Sequence, residues 1–166
     1  MKSTGHLIRF GGHKQAAGLT MAAASVGAFR EMIASYADNL LGPDDLKPRL
    51  RLDGCLGFRE INGDFAGEMT LLAPFGTGNP RPLFEASGVE VVDGPRRLKE
   101  KHLKMALRQN GRVFRAIAWR AVERERFITE NRTSLDLAFS VEQNRYQGNE
   151  YLELSVTDVR ATRVAG

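Results

Sequence analysis

Five segments in the second half of the chain alternate apolar with polar residues, which is the spacing of half-buried β-strands. The second segment has one apolar and one basic face, since leucine and methionine alternate there with Lys104 and Arg108. Asn110-Gly111, a pair typical of two-residue hairpin turns, joins it to the third. A highly charged segment, 121–127, predicts a short helix before the fourth. The predicted strands cover 89–92, 103–108, 112–119, 135–141 and 152–156.

Five strands with a helix between the third and the fourth is the element order of an OB-fold, a small Greek-key barrel. Closing the barrel also removes the exposed edges that so much β structure would otherwise present. We therefore expect a five-stranded barrel in the second half of the chain.

The first half predicts fewer elements and mixes helix with strand. Apolar residues recur at spacings of three and four from Val26 to Leu40, which predicts an amphipathic helix with Ser25 as its N-cap and an end at Gly42-Pro43. This half is α+β or α/β, with too few elements for a complete domain. Its other predicted elements are strands at 7–10, 17–21 and 50–58 and a helix at 64–72.

The segment 73–82 separates the two halves. It holds three prolines and two glycines in ten residues, which neither continue a helix nor donate a full sheet ladder. We therefore expect a first domain over 1–73, a linker over 74–83 and a barrel domain over 84–166.

The composition excludes several classes of protein. Hydrophobic residues make up 42% and charged residues 27% of the 166, which is typical of a globular chain rather than a disordered one. No apolar stretch approaches the roughly 18 residues of a membrane span, and no secretory signal is recognisable. Cys55 is the single cysteine, so an internal disulfide and a cysteine-based zinc cluster are excluded. We expect a cytoplasmic protein in which this thiol is inert.

Positive charge is concentrated in one part of the second half. The net charge is +4, and residues up to Gly78 are neutral in sum. Between Arg96 and Arg126, eleven basic residues stand against three acidic ones. Such an excess is typical of a surface that binds a polyanion, although a solvated surface has the same composition. The predicted nucleic-acid contacts are Arg96, Arg97, Lys99, Lys101, Lys104, Arg108 and Arg115.

Aromatic residues complete the predicted site, because OB barrels hold single strands by stacking bases beside a basic groove. Phe114 and Trp119 are five residues apart on one strand and therefore face opposite sides, and we favour Phe114 as the core residue. Trp119 and Tyr146 join the predicted contacts, and Tyr151 is a further candidate. For His102, a phosphate contact and a partly buried structural histidine are both open, the second being favoured.

The string GGHKQAAG at residues 11–18 is the sharpest local motif. Glycines let a backbone approach a ligand closely, and Gly11, Gly12, His13 and Lys14 together offer N–H donors and positive charge to a phosphate. An ordinary structural turn is the competing interpretation of the glycines and histidine alone.

This string and PFGTGNPRPLF at 74–84 together resemble the C-terminal part of the RecJ family, single-strand-specific 5′-to-3′ DNA exonucleases of the DHH phosphoesterase superfamily. The resemblance covers essentially the whole chain. It implies the remainder of a DHH-associated α/β domain followed by an OB domain. It also implies that Gly11, Gly12 and His13 face a catalytic domain across a cleft and hold the substrate's phosphate there.

The family's catalytic domain holds two divalent ions, manganese or magnesium, through residues that include an Asp-His-His motif. This chain has only His6, His13 and His102, and no two histidines are adjacent. We therefore expect a fragment that carries no metal or catalytic residue and binds single-stranded DNA without cleaving it. The resemblance implies a role in DNA repair and recombination. The expected partners are the missing catalytic domain, single-stranded DNA and, as a further candidate, single-strand-binding protein.

Two other functions stay open. The chain is a stand-alone OB module that binds nucleic acid or docks a protein, or it belongs to a DHH-type enzyme acting on short oligonucleotides or cyclic dinucleotides. The barrel after the proline-rich segment speaks against the second. An exonuclease fragment, unlike a free-standing module, predicts an exposed apolar patch in the first half where the catalytic domain packs.

Overall fold

The computed structural model describes residues 7–146 and 148–162, except for the side chain of Tyr146. The chain forms two compact units, one up to Leu50 and one from Arg51 onward. The fold class is α+β with a closed OB-type barrel, as the sequence predicts.

The first unit consists of a β-hairpin and one helix. Strand β1 (Leu7–His13) pairs antiparallel with β2 (Ala16–Met21), and a short 3-10 turn leads into helix α1 (Val26–Leu40). The helix is confirmed with Ser25 at its N-cap position, although the serine side chain makes no capping hydrogen bond. No residue of α1 is buried, so the apolar side of this amphipathic helix is not covered by other parts of the described structure.

The second unit begins with a segment that the sequence assigns to the first half. Helix α2 (Gly63–Leu71) is capped by Asn62, whose side chain accepts a hydrogen bond from the N–H of Phe65. The predicted strand over 50–58 is wrong: only β3 (Gly54–Cys55) pairs, in parallel with the start of the next strand. Leu56 and Phe58 leave the sheet and enter the barrel core, which explains their apolar character without a long strand.

Five strands close the barrel. Their order is β4-β5-β6-β8-β7, and β7 pairs back onto β4. The pairing of β6 with β8 is parallel and the other pairings within the barrel are antiparallel. Helix α3 (Glu125–Glu130) lies between β6 and β7 and buries Ile128. The strands are β4 (Phe84–Leu98), β5 (His102–Gln109), β6 (Arg112–Ala118), β7 (Leu135–Tyr146) and β8 (Asn149–Ala161).

Strand β4 has 15 residues where the sequence predicts four, because it pairs with two other barrel strands along its length. Its first part pairs with β7 and its second part with β5, and each pairing contains an irregularity in register. At Gly94 the φ angle is +82°, and a Cβ there would lie 2.8 Å from the carbonyl oxygen of Lys104. Only glycine adopts this φ angle and allows this close approach of the β4 and β5 backbones without strain.

Phe58 packs at the centre of the barrel core. It is fully buried, and its ring meets those of Phe114 and Phe139 edge to face, with centroids 5.4 and 6.0 Å apart. The burial of Phe114 confirms that it is the core member of its strand, whereas Trp119 is 52% exposed. Residues outside the predicted barrel domain therefore help to fill its interior.

The proline-rich segment is held against the barrel. The backbone N–H of Gly76 donates to the carbonyl of Asn79 and the reverse bond also forms. The Arg81 guanidinium lies over the Phe75 ring at 4.5 Å and donates to the carbonyl of Val141 on β7. The sequence places a domain boundary in this segment, but in the structure residues 51–83 belong to the same compact unit as the barrel.

Candidate nucleic-acid interface

Three of the predicted cationic contacts are neutralised by carboxylates. Arg96 pairs with Asp93 at 2.6 Å and Arg108 with Glu90 at 2.5 Å. Arg97 pairs at 2.7 Å with Glu125 of α3, and the hydrogen bond and charge of that carboxylate raise the pKa of Arg97. Nearby Arg124 and Arg126 are also paired, with Asp158 and Glu130 respectively.

Four predicted cations have no carboxylate within ion-pair distance among residues 7–146 and 148–162: Lys99, Lys101, Lys104 and Arg115. The first two lie in the turn between β4 and β5, where Lys99 and Glu100 have φ angles of 50° and 56°. Lys104 and Arg115 lie on exposed positions of β5 and β6. The predicted basic segment therefore contributes unpaired charge at one turn and one sheet surface.

This surface, here called the β5–β6 face, is the outer side of β5 and β6 with the adjoining outer side of β8. Strand alternation turns Leu103, Met105 and Leu107 into the core and Lys104 outward. The register places Lys104 opposite Ile117, and Ile117 opposite Ser155 of β8. The face is formed by Lys104, Arg115, Ile117, Trp119, Tyr151 and Ser155.

Trp119 is the exposed aromatic group of the β5–β6 face. Its indole Nε1–H donates to Ser155 Oγ at 3.1 Å. The rings of His102 and Trp119 meet edge to face, with centroids 4.8 Å apart and an angle of 71° between the ring planes. His102 is half-buried and its Nδ1 accepts the backbone N–H of Arg120 at 2.9 Å, in keeping with a structural histidine. The predicted stacking residue thus shares this face with the unpaired Lys104 and Arg115.

Two further residues bear on this surface: Tyr151, which the sequence offers as a further candidate, and Arg120, which is not among the predicted contacts. The Arg115 guanidinium lies 5.9 Å from the centroid of the Tyr151 ring. Arg120 directly follows Trp119, is exposed, and has a φ angle of 52°. Its position at the end of β6 could have been read from the sequence as part of the basic segment. The predicted contact Tyr146 ends β7 opposite Asn149, and its side chain lies outside the described residues.

The glycine string forms a tight hairpin rather than an open loop. Gly11, Gly12 and His13 are the last residues of β1, and Lys14 belongs to the turn into β2. A Cβ on Gly12 would lie 2.5 Å from the carbonyl oxygen of Ala16, whereas a Cβ on Gly11 would meet nothing within 4 Å. Gly12 therefore has a structural reason to be glycine.

His13 accepts a hydrogen bond at Nδ1 from the backbone N–H of Gln15, 3.3 Å away. All four predicted phosphate contacts are exposed. They belong to the first unit, and the predicted contacts on the barrel belong to the second.

Across residues 7–146 and 148–162, no three His, Cys, Asp or Glu side chains come together as metal ligands would. No helix in these ranges combines the length and apolar character needed to cross a membrane. Cys55 is exposed and carries a free thiol.

Comparison with known proteins points to one family. The family model of the RecJ OB domain matches residues 52–158. Curated relatives named single-stranded-DNA-specific exonuclease RecJ include that of Thermus thermophilus, 35% identical over 156 residues, covering 89% of this chain and 22% of the relative. The relative from Bacillus subtilis is 28% identical over 155 residues and covers 92% of this chain and 19% of its own length.

A solved structure supports the same likeness. The crystal structure of RecJ in complex with Mn2+ from Thermus thermophilus aligns with a TM-score of 0.73 at 28% identity. The alignment covers 95% of this chain and 22% of that one. The chain thus spans about a fifth of the length of these relatives, and its predicted resemblance to the family is confirmed.

Proposed function

Because this chain belongs to the RecJ family through its OB domain, we propose that it is the substrate-binding part of a single-strand-specific 5′-to-3′ DNA exonuclease. It binds unpaired DNA on the β5–β6 face and does not cleave it. The observation that carries the proposal is that Lys104 and Arg115, which form no ion pair among the described residues, share the β5–β6 face with the exposed Trp119.

The physical reason is that the face combines phosphate contacts, which any nucleic acid can make, with a stacking contact that only an unpaired base can make. Exposed ammonium and guanidinium groups bind phosphates, while an exposed indole stacks on an unpaired base for about 1–3 kcal/mol. Bases inside a duplex are already stacked on each other and present only their edges. The face therefore favours single strands.

The glycine hairpin is proposed as a second phosphate contact. Gly11, Gly12, His13 and Lys14 present exposed backbone and a cation at the end of the hairpin. In the full-length enzyme they face the catalytic domain, which holds two divalent ions, manganese or magnesium. The ions supply activation of water and stabilisation of charge there. The sequence of this chain contains no Asp-His-His motif, so hydrolysis is assigned to the other domain.

The exposed apolar residues of the first unit support the presence of that partner domain. Ile8 and Phe10 on β1 are 74% and 68% exposed, and Ile33, Tyr36 and Leu40 lie exposed along α1. A two-stranded sheet and one helix bury too little apolar surface to be independently stable. In this proposal, the catalytic domain of the same polypeptide packs against these exposed apolar residues. A role in cytoplasmic DNA repair and recombination belongs to the same proposal.

The test is a salt-dependent titration of the purified chain with single-stranded and hairpin-duplex oligonucleotides, each labelled at its 5′ end. Preference for the single strand, with affinity that falls steeply as salt rises, supports the proposal. Equal affinity for both ligands contradicts it. If neither ligand binds at low salt, the barrel docks a protein such as single-strand-binding protein. A parallel incubation with manganese must leave the single strand intact.

A further inference from the structure

Trp119 makes two contacts with neighbouring strands. Its Nε1–H donates to Ser155 Oγ of β8, and its indole meets the ring of His102 of β5 in an edge-to-face arrangement. The same histidine ring accepts the backbone N–H of Arg120 through Nδ1. One imidazole therefore connects the start of β5 to both the indole and the residue that follows it.

These contacts matter because Trp119 lies just beyond β6, where no strand ladder fixes it. Arg120 has a φ angle of 52°, in the left-handed region that non-glycine residues rarely adopt. The hydrogen bond to His102 holds the chain in this conformation, and the ring limits the rotation of the indole. An exposed aromatic side chain without such supports would lose more rotational freedom when a base stacks on it.

We infer that His102 is a positioning residue that orients Trp119 as a preformed platform for one unpaired nucleobase. This inference rests on the proposed function and deepens it. Ser155 supports the indole through the hydrogen bond to Nε1. Lys104 and Arg120 then flank the platform as phosphate contacts. His102 itself acts on the DNA only through Trp119, because its Nδ1 is engaged by the backbone N–H of Arg120.

Two substitutions separate the two roles of the imidazole. In His102→Asn the amide oxygen replaces Nδ1 as acceptor for Arg120, but the ring is lost. In His102→Phe the ring remains and the acceptor is lost. Trp119 is the single tryptophan of the chain, so its indole N–H resonance and its fluorescence report on this residue alone.

In the free protein we expect His102→Asn to broaden or shift the indole N–H resonance and to increase quenching of the fluorescence by acrylamide. His102→Phe should preserve both signals more closely. The remaining amide spectrum shows whether each variant is folded. If the indole signal of His102→Asn is identical to that of the wild type, the positioning role is wrong, whatever the DNA-binding measurement gives.

Binding is measured with an oligothymidylate of about 15 nucleotides, near the upper end of the site size of one OB domain, and with an abasic strand of equal length. His102→Asn should weaken binding of the oligothymidylate about two- to tenfold, the range expected for loss of one aromatic edge contact. Binding of the abasic strand, which keeps the phosphates but cannot stack, should not change.

The outcomes distinguish this inference from the proposed function. If the wild-type chain binds no single strand, the proposed function fails and the platform role falls with it. If the wild type binds but His102→Asn weakens both strands equally, the histidine acts on the phosphate contacts and the platform role is wrong. A loss confined to the strand that carries bases supports it.

Discussion

Asp136 of β7 and Arg160 of β8 are opposite each other in the sheet, with Arg160 Nε 3.1 Å from a carboxylate oxygen of Asp136. Arg160 also bridges to Glu85 of β4 at 2.7 Å. The carboxylate, which is 6% exposed, further accepts hydrogen bonds from Thr162 and from the backbone of Gly88. This cluster ties together the three strands at which the barrel closes.

The first prediction concerns the stability of the folded protein at acidic pH. Burial alone raises the pKa of Asp136, but hydrogen bonds from Thr162, Arg160, Ser87 and the Gly88 backbone outweigh it and lower the pKa. A carboxyl whose pKa is lower in the folded state contributes stability above its unfolded pKa and loses it as pH falls through the folded value. We expect stability to decline below about pH 4, and Asp136→Asn to reduce that decline. Urea unfolding at several pH values measures it.

At neutral pH the same Asp136→Asn change should destabilise the barrel by about 1–3 kcal/mol, because a buried charged network loses one of its acceptors. Glu130→Gln is the control, since Glu130 lies in an exposed pair with Arg126. An equal effect of both substitutions would contradict the special role of Asp136.

The second prediction concerns the unpaired cations. Lys104→Gln should weaken single-strand binding and reduce the salt slope by about 0.7, the value for one phosphate contact. Lys47→Gln removes the same charge from an exposed lysine of the first unit that is paired with Asp44, and it should leave the slope unchanged. Titrations at four salt concentrations compare them. Equal slopes for the two variants would show that only net charge matters.

The third prediction concerns Trp119. Trp119→Ala should weaken binding of a single strand by about 1–3 kcal/mol, the contribution of one stacked base. Because the side chain is 52% exposed, the melting temperature should change little. Tyr36→Ala removes a similarly exposed aromatic group from α1 and serves as the control. Unchanged affinity in Trp119→Ala contradicts stacking at this position.

The fourth prediction concerns the extent of the barrel domain. Phe58→Ala should destabilise it by about 3–5 kcal/mol, since it empties the centre of the core. Leu52→Ala, at a position 37% exposed, should cost far less. A chain of residues 51–166 should unfold in one cooperative transition. Chemical denaturation measures the stability of each chain. If a chain of residues 84–166 is as stable as one of residues 51–166, residues 51–83 do not belong to the barrel domain.

The fifth prediction separates two adjacent glycines. Gly12→Ala should disturb the β1–β2 hairpin, because the added methyl group would lie 2.5 Å from the Ala16 carbonyl oxygen. Gly11→Ala meets no atom within 4 Å and should preserve the hairpin. Amide chemical shifts of the hairpin compare the two. Equal perturbation by both would mean that the close approach of the strands at Gly12 is not the cause.

Local patterns in the sequence were enough to predict the barrel. Alternation located the strands, the Asn110-Gly111 pair located a hairpin, and the odd spacing of Phe114 and Trp119 assigned one to the core and one to the surface. These features depend on residues close together in the chain, where strand geometry alone decides which side a residue faces. The helix over 26–40 follows from the same kind of periodicity.

Only the tertiary structure decided which parts of the chain act together. Leu56 and Phe58 have the spacing of a strand, but the barrel core takes them up because it buries more of their surface than a lone strand could. The sequence also did not show which cations are neutralised, because Arg97 is paired with Glu125, 28 residues away along the chain. Sequence alone determined that the region is basic. Folding determined which cations remain free beside Trp119, because ion pairs form over a few ångströms in space and not along the chain.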